Sequence, residues 1–114
     1  MALIYKICSN DQWREAERAG VFAGAAIDLT DGFIHLSTAA QVRETAAKHF
    51  HGQRELVLVA VDPGTLGEGL RYERSRSGGL FPHLYGALPV AAVRWVKPLP
   101  LHAEGGHLFP DLGS

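Results

Sequence analysis

The sequence predicts one α+β domain with a mixed or mostly antiparallel sheet and two main helices. Short apolar runs bounded by turn residues read as strands at 2–8, 33–36, 55–62, 70–73 and 91–97. Two stretches with helical spacing follow capping-box signatures, Ser9 with Gln12 and Thr38 with Gln41. The resulting order, β-α-β-α-β-β-β, leaves too few helices between its later strands for a doubly wound parallel sheet.

Each element has its own warrant. In residues 2–8, Leu3, Tyr5 and Ile7 fall on one face and Ile4, Lys6 and Cys8 on the other. Residues 11–19 read as a helix that stops at Gly20, with Trp13 and Ala16 toward the core. Residues 21–31 are rich in Ala and Gly and lack a clear period, which predicts a loop with room for a short turn of helix. Asp31-Gly32 is a turn signal, and in the strand that follows Phe33 and His35 point one way, Ile34 and Leu36 the other. Ser37 or Thr38 can cap the next helix, whose apolar face is Ala39, Val42, Ala46 and Phe50, with Arg43, Glu44 and Lys48 off it.

Gly52 supplies a stop, and residues 55–62 form the most apolar strand, a run that fits burial on both faces. Asp62-Pro63-Gly64 turns the chain. In residues 70–73, Leu70 and Tyr72 share one face and Arg71 and Glu73 the other. Residues 74–79 read as a flexible basic loop, and residues 80–88, with Pro82 and Gly86, as irregular or edge-like. The last strand, 91–97, is closed off by Pro98 and Pro100. Beyond it the tail has a turn at Glu104-Gly105-Gly106 and an apolar anchor at Leu108-Phe109.

Composition narrows the function. A chain of 114 residues is long enough to bury a core without disulfides or metal. Its net charge of −1 argues against a duplex-DNA binder, which usually carries a basic excess, but leaves room for a phosphate-bearing small ligand. The single Cys8 excludes an internal disulfide and a multi-cysteine zinc site. His49-x-His51 and the spaced pair His102 and His107 do not make a metal site, so no metal is expected. The first eight residues lack a signal peptide's basic and long apolar regions, and no apolar run approaches membrane-spanning length. The expectation is a cytoplasmic protein without membrane contact.

Three constellations carry chemistry. His35 falls just before a predicted helix start, where exposed N–H groups favour anions; Ser37 and Thr38 at that start are ligand-binding candidates. A histidine in a strand is more often a hydrogen-bonded structural group or a half-exposed side chain than a catalyst, and His35 has that reading too. Phe81-Pro82-His83-Leu84-Tyr85-Gly86 fits a binding rim, with His83 titratable and Tyr85 a stacking surface, or a loop clamped by its aromatics. Arg71, Arg74 and Arg76, with nearby serines and glycines, can hold a phosphate or form a solvated loop. The sequence has no nucleophile elbow.

IYKICS, DGFIHLSTAAQV, VLVAVD, LFPHLYG and VRWVKPLPL, in that order along nearly the whole chain, resemble the bacterial family known as domain of unknown function 952. The resemblance implies a stand-alone α+β domain with the ADP-ribosyltransferase-like fold. Residues 33–65 also resemble the corresponding block of RNA 2′-phosphotransferases, where a histidine-leucine-serine segment leads into an alanine-rich helix and an apolar strand ending in Asp. On that match His35 takes the second-motif position beside the nicotinamide of bound NAD. Lys6 or Ser9 stands at the first-motif contact. The match implies NAD or a related nucleotide as ligand or substrate, with ribosyl or phosphoryl transfer as the activity and His35 and His83 as catalytic groups. Lys6, Ser37, Thr38, Arg74, Arg76 and Tyr85 would bind the ligand. Classical transferases place a glutamate on a late strand, whereas residues 81–86 offer His83 and no glutamate. The other reading is a non-catalytic nucleotide-binding or protein-interaction module with the same cleft.

Overall fold

Four antiparallel strands form the central sheet of the computed structural model, which describes residues 2–75 and 78–112. Strand β1 (Ile4–Ser9) leads through helix α1 (Asn10–Ala19) and strand β2 (Val21–Phe22) to helix α2 (Ala26–Asp31). Strands β3 (Ile34–His35) and β4 (Ser37–Thr38) then precede helix α3 (Val42–His49) and strand β5 (Leu56–Val61). Strands β6 (Leu70–Arg74), β7 (Leu80–Leu84), β8 (Leu88–Pro89) and β9 (Val93–Leu99) complete the order. The sheet order is β4-β1-β5-β9, with a three-stranded sheet β3-β7-β6 and a small pair β2-β8 beside it. Every pairing between these strands is antiparallel.

The central sheet has apolar material on both faces, as the run through β5 predicts. Ile4, Cys8, Val57, Val59 and Val61 pack with Trp13 and Ala16 of α1 and with Ile34, Leu36 and Leu84 of the smaller sheet. On the opposite face Tyr5, Ile7, Leu56, Leu58 and Ala60 pack with Val42 and Ala46 of α3, and Phe50 and Phe109 lie against that cluster. Helix α1 forms as expected. Ser9 Oγ accepts from Gln12 N at 3.0 Å, Gln12 Oε1 accepts from Ser9 N at 2.9 Å, and Gly20 ends the helix at φ 83°.

The short turn of helix that residues 21–31 leave room for is α2, whose first turn is held by Asp28 accepting the Ala25 N–H at 2.8 Å in place of a cap at Ala25. Four other local expectations are corrected. Helix α3 starts only at Val42, since Ser37 and Thr38 are committed to β4 opposite Tyr5 and Ile4. What survives of the expected capping box is its reverse half, Thr38 N donating to Gln41 Oε1 at 3.0 Å. Strand β7 is regular and central, not irregular. It tolerates Pro82 because the Pro82 carbonyl accepts from Leu36 N on the β3 side, where the β3 ladder has already ended; the missing N–H faces that gap. Strand β9 runs through Pro98 to Leu99, which an edge strand allows. In the tail, Phe109 is the apolar anchor and Leu108 is exposed.

Leu36 joins the two larger sheets. Residues on its N-terminal side pair with β7 and residues on its C-terminal side with β1. No helix among the described residues is long and apolar enough to cross a membrane.

Candidate functional site

The sheet β3-β7-β6 is two-faced. Its register sets His35 opposite His83, His83 opposite Arg71, and Phe81 opposite Glu73. Side chains directly opposite one another share a face, and so do residues two apart along a strand. One face therefore carries Phe33, His35, Arg71, Glu73, His83 and Tyr85. The other turns Ile34, Leu36 and Leu84 into the core.

On the polar face the rings are in contact. Phe33 stacks on His83 with centroids 4.1 Å apart, lies 4.6 Å from His35 and 5.3 Å from Tyr85. The two imidazoles meet edge to face at 5.8 Å. Arg71 covers the Tyr85 ring at 5.2 Å, a cation–π arrangement. Glu73 Oε1 takes two hydrogen bonds, from Tyr85 Oη at 2.7 Å and with His83 Nδ1 at 2.8 Å. The Tyr85 bond, followed by that of His83, holds the Glu73 carboxyl below its usual range, and the same carboxylate pushes the Tyr85 phenol up. Gly69 makes this corner possible. Its carbonyl accepts from Tyr85 N at 2.8 Å, and a Cβ there would come within 2.9 Å of the Tyr85 carbonyl oxygen.

His35 is held from behind by Asp28. Asp28 Oδ1 accepts from His35 N at 3.0 Å and lies 2.6 Å from His35 Nδ1. Lys6 Nζ lies 2.9 Å from Asp28 Oδ2, and both side chains are almost fully buried, at 5% and 1% exposed. Burial alone would raise the Asp28 carboxyl; the His35 hydrogen bond and the Lys6 charge outweigh it and hold the group well below the ordinary carboxylate range. In its strand His35 turns its backbone N–H to the side on which Ser37 pairs with β1, so Asp28 fills the place where the two sheets part. At the outer edge Asp31 Oδ2 lies 2.9 Å from His35 Nε2.

Of the residues singled out in the sequence, His35, His83 and Tyr85 come together, and Lys6 supports them through Asp28. Ser37 and Thr38 do not join them. Ser37 is buried with its hydroxyl 3.0 Å from that of Thr45, and Thr38 belongs to the turn into α3. Arg74 is one residue off the polar face and donates to the Gly78 carbonyl at 3.1 Å; the cation on the face is Arg71. Arg76 lies outside the described residues. Residues 81–86 hold no glutamate, and Glu73 of the neighbouring strand is hydrogen-bonded to two of them, His83 and Tyr85. Asp28, Asp31 and Glu73 went unrecognised as site residues, although the alternation in residues 70–73 already set Arg71 and Glu73 on one face. Burial pushes the Cys8 thiol up to about 12, which keeps it protonated and inert. Among the described residues no group of three or more His, Cys, Asp and Glu is placed to hold a metal ion. A separate cleft of about 390 Å³ opens between Ser9, Ala26, Ile27 and Phe50, and has Lys6 in common with the site.

Known proteins place the chain in a family. No curated protein matches the chain. The crystal structure of protein CC0527 from Caulobacter crescentus is 52% identical, with 93% of each chain covered and a TM-score of 0.89. The solution NMR structure of CC0527 is 53% identical over 91% of this chain and 90% of that one, with a TM-score of 0.82. The family described as protein of unknown function (DUF952) matches residues 7–96, a span that holds the whole polar face together with Asp28 and Asp31. The chain belongs to the DUF952 family.

Proposed function

We propose that the polar face of the small sheet binds NAD or a related nucleotide and acts in ribosyl or phosphoryl transfer. The observation that carries this is Glu73, held between His83 and Tyr85 on the face that also presents His35. Classical ADP-ribosyltransferases use a late-strand glutamate at the ribose, and the resemblance to their fold supports the reading at this point. Because its hydrogen bonds keep Glu73 ionised, it supplies negative charge to a ribosyl centre as the bond to the leaving group breaks. His83 spends Nδ1 on Glu73 and keeps Nε2 for a substrate proton. Phe33 and Tyr85 offer stacking surface to a planar base, and Arg71 offers charge to a phosphate.

One observation favours the non-catalytic alternative: both ring nitrogens of His35 are already opposite carboxylates. Ligand-observed NMR with NAD, ADP-ribose and a 2′-phosphorylated oligonucleotide separates the readings, followed by product analysis on whichever binds. Binding that Glu73→Gln weakens at least tenfold, with turnover of the bound nucleotide that the same substitution abolishes, is the expected result. Binding without turnover supports the module, and no binding to any of the three removes the nucleotide reading.

A further inference from the structure

The two carboxylates on His35 are not equivalent. Asp28 is buried, accepts hydrogen bonds from Ala25 N and His35 N, and is paired with Lys6. Asp31 is 40% exposed, is the last residue of α2, and meets the imidazole through one oxygen. A carboxylate so exposed can leave by a change of its own rotamer.

The geometry points to an oxyanion site at His35 Nε2 that Asp31 fills when no ligand is bound. An imidazole hydrogen-bonded to two carboxylates donates from both nitrogens only as the imidazolium. Nδ1 is fixed on Asp28 at 2.6 Å, so the ring orientation survives the departure of Asp31. The charges around the position then favour an anion. Lys6 and a doubly donating His35 share the single carboxylate of Asp28, and Arg71 stands two residues from Glu73 on the same face, so the departure of Asp31 leaves one positive charge in excess. The chemical class that fits is a phosphate oxygen, which accepts from Nε2 as the Asp31 carboxylate does. Phe33, 4.6 Å from the His35 ring, walls one side. Asp31 is thus a competitor that sets the affinity threshold for the anion.

This inference deepens the proposed nucleotide reading, yet it is testable with inorganic phosphate alone. The His35 ring signals are followed by 1H–13C NMR near pH 6.5 while phosphate is titrated into wild type, Asp31→Asn and Asp31→Ala. Thermal melts confirm that each variant is folded; two replacements are used so that one poorly folded variant does not decide the result. The expected outcome is phosphate binding tightened at least about fivefold in the folded variants, with the largest shifts on His35, and loss of the phosphate-induced shifts of the neighbouring Phe33 and His83 rings in His35→Gln. Unchanged or weaker phosphate binding in folded Asp31 variants overturns the inference, as do shifts centred away from His35. Tighter phosphate binding with no nucleotide binding leaves the anion site standing and removes only the nucleotide reading.

Discussion

The central sheet and the small sheet are built from similar strands and treat their faces in opposite ways. Strand β5 buries all six of its residues, because α1 and the small sheet cover one side and α3 and the tail the other. The small sheet buries one face in the core and carries on the other two histidines, of which His83 is itself buried, with a glutamate, an arginine and the rings of Phe33 and Tyr85. A core tolerates any well-packed apolar set, whereas a half-exposed sheet face needs no histidine–carboxylate pairs to stay folded. The difference teaches that the central sheet commits both faces to packing, while the small sheet gathers its polar and aromatic side chains on the one face turned from the core. The Lys6–Asp28 pair stands at their junction and belongs to both.

The largest expected effect lies at that junction. Asp28→Ala leaves Lys6 charged, buried and unpaired, and urea unfolding is expected to show a loss of about 3–5 kcal/mol. Because Asp28 titrates lower in the folded chain than in the unfolded one, its stabilisation is full above about pH 4 and is lost as the pH falls through the lower folded value. Asp28→Asn should therefore flatten the acid limb of the stability curve. An unchanged acid limb would place the main acid-sensitive contact elsewhere.

In the central sheet, Leu58→Ala removes a side chain with no exposed surface and is expected to cost about 2–5 kcal/mol, read by the same unfolding curves. Ligand binding by the remaining folded protein should be unaffected. A binding defect in that variant would blur the division between the sheets.

Glu73→Gln should do the reverse. The side chain is 37% exposed, so the melting temperature should hardly move while nucleotide binding falls at least tenfold. A lowered melt with intact binding would make Glu73 a structural clasp for Tyr85. Smallest of all is Arg74→Ala, off the polar face, for which calorimetry should find a stability change within about 0.5 kcal/mol and no change in affinity. A clear loss of affinity would return the phosphate contact to the 74–79 loop.

Legibility in the sequence follows the same division. The run through β5, the Ser9–Gln12 box and the pair Trp13 and Ala16 were readable because each depends on local spacing and burial. Helix α2 was readable only as room for a short turn within a loop, since its first turn is held by Asp28 rather than by a residue at the cap position. Pro82 signalled an edge where the chain has a central strand, because only the end of the β3 ladder explains its tolerance. His35 and His83 were legible as groups converging on one place although 48 residues separate them; the β3–β7 register that sets them opposite each other was not. Glu73 and Asp28 acquire their roles only through contacts across strands and between sheets, which no periodicity encodes.

The most direct test asks whether the polar face holds ligand or holds the fold. It takes His35→Ala and measures thermal stability together with affinity for whichever of NAD, ADP-ribose or the 2′-phosphorylated oligonucleotide wild type binds best. With the His35 side chain 34% exposed, stability should fall by no more than about 1–2 kcal/mol while affinity falls at least tenfold. A variant that melts far lower yet binds the same ligand unchanged would contradict the assignment and make His35 a structural bridge to Asp28.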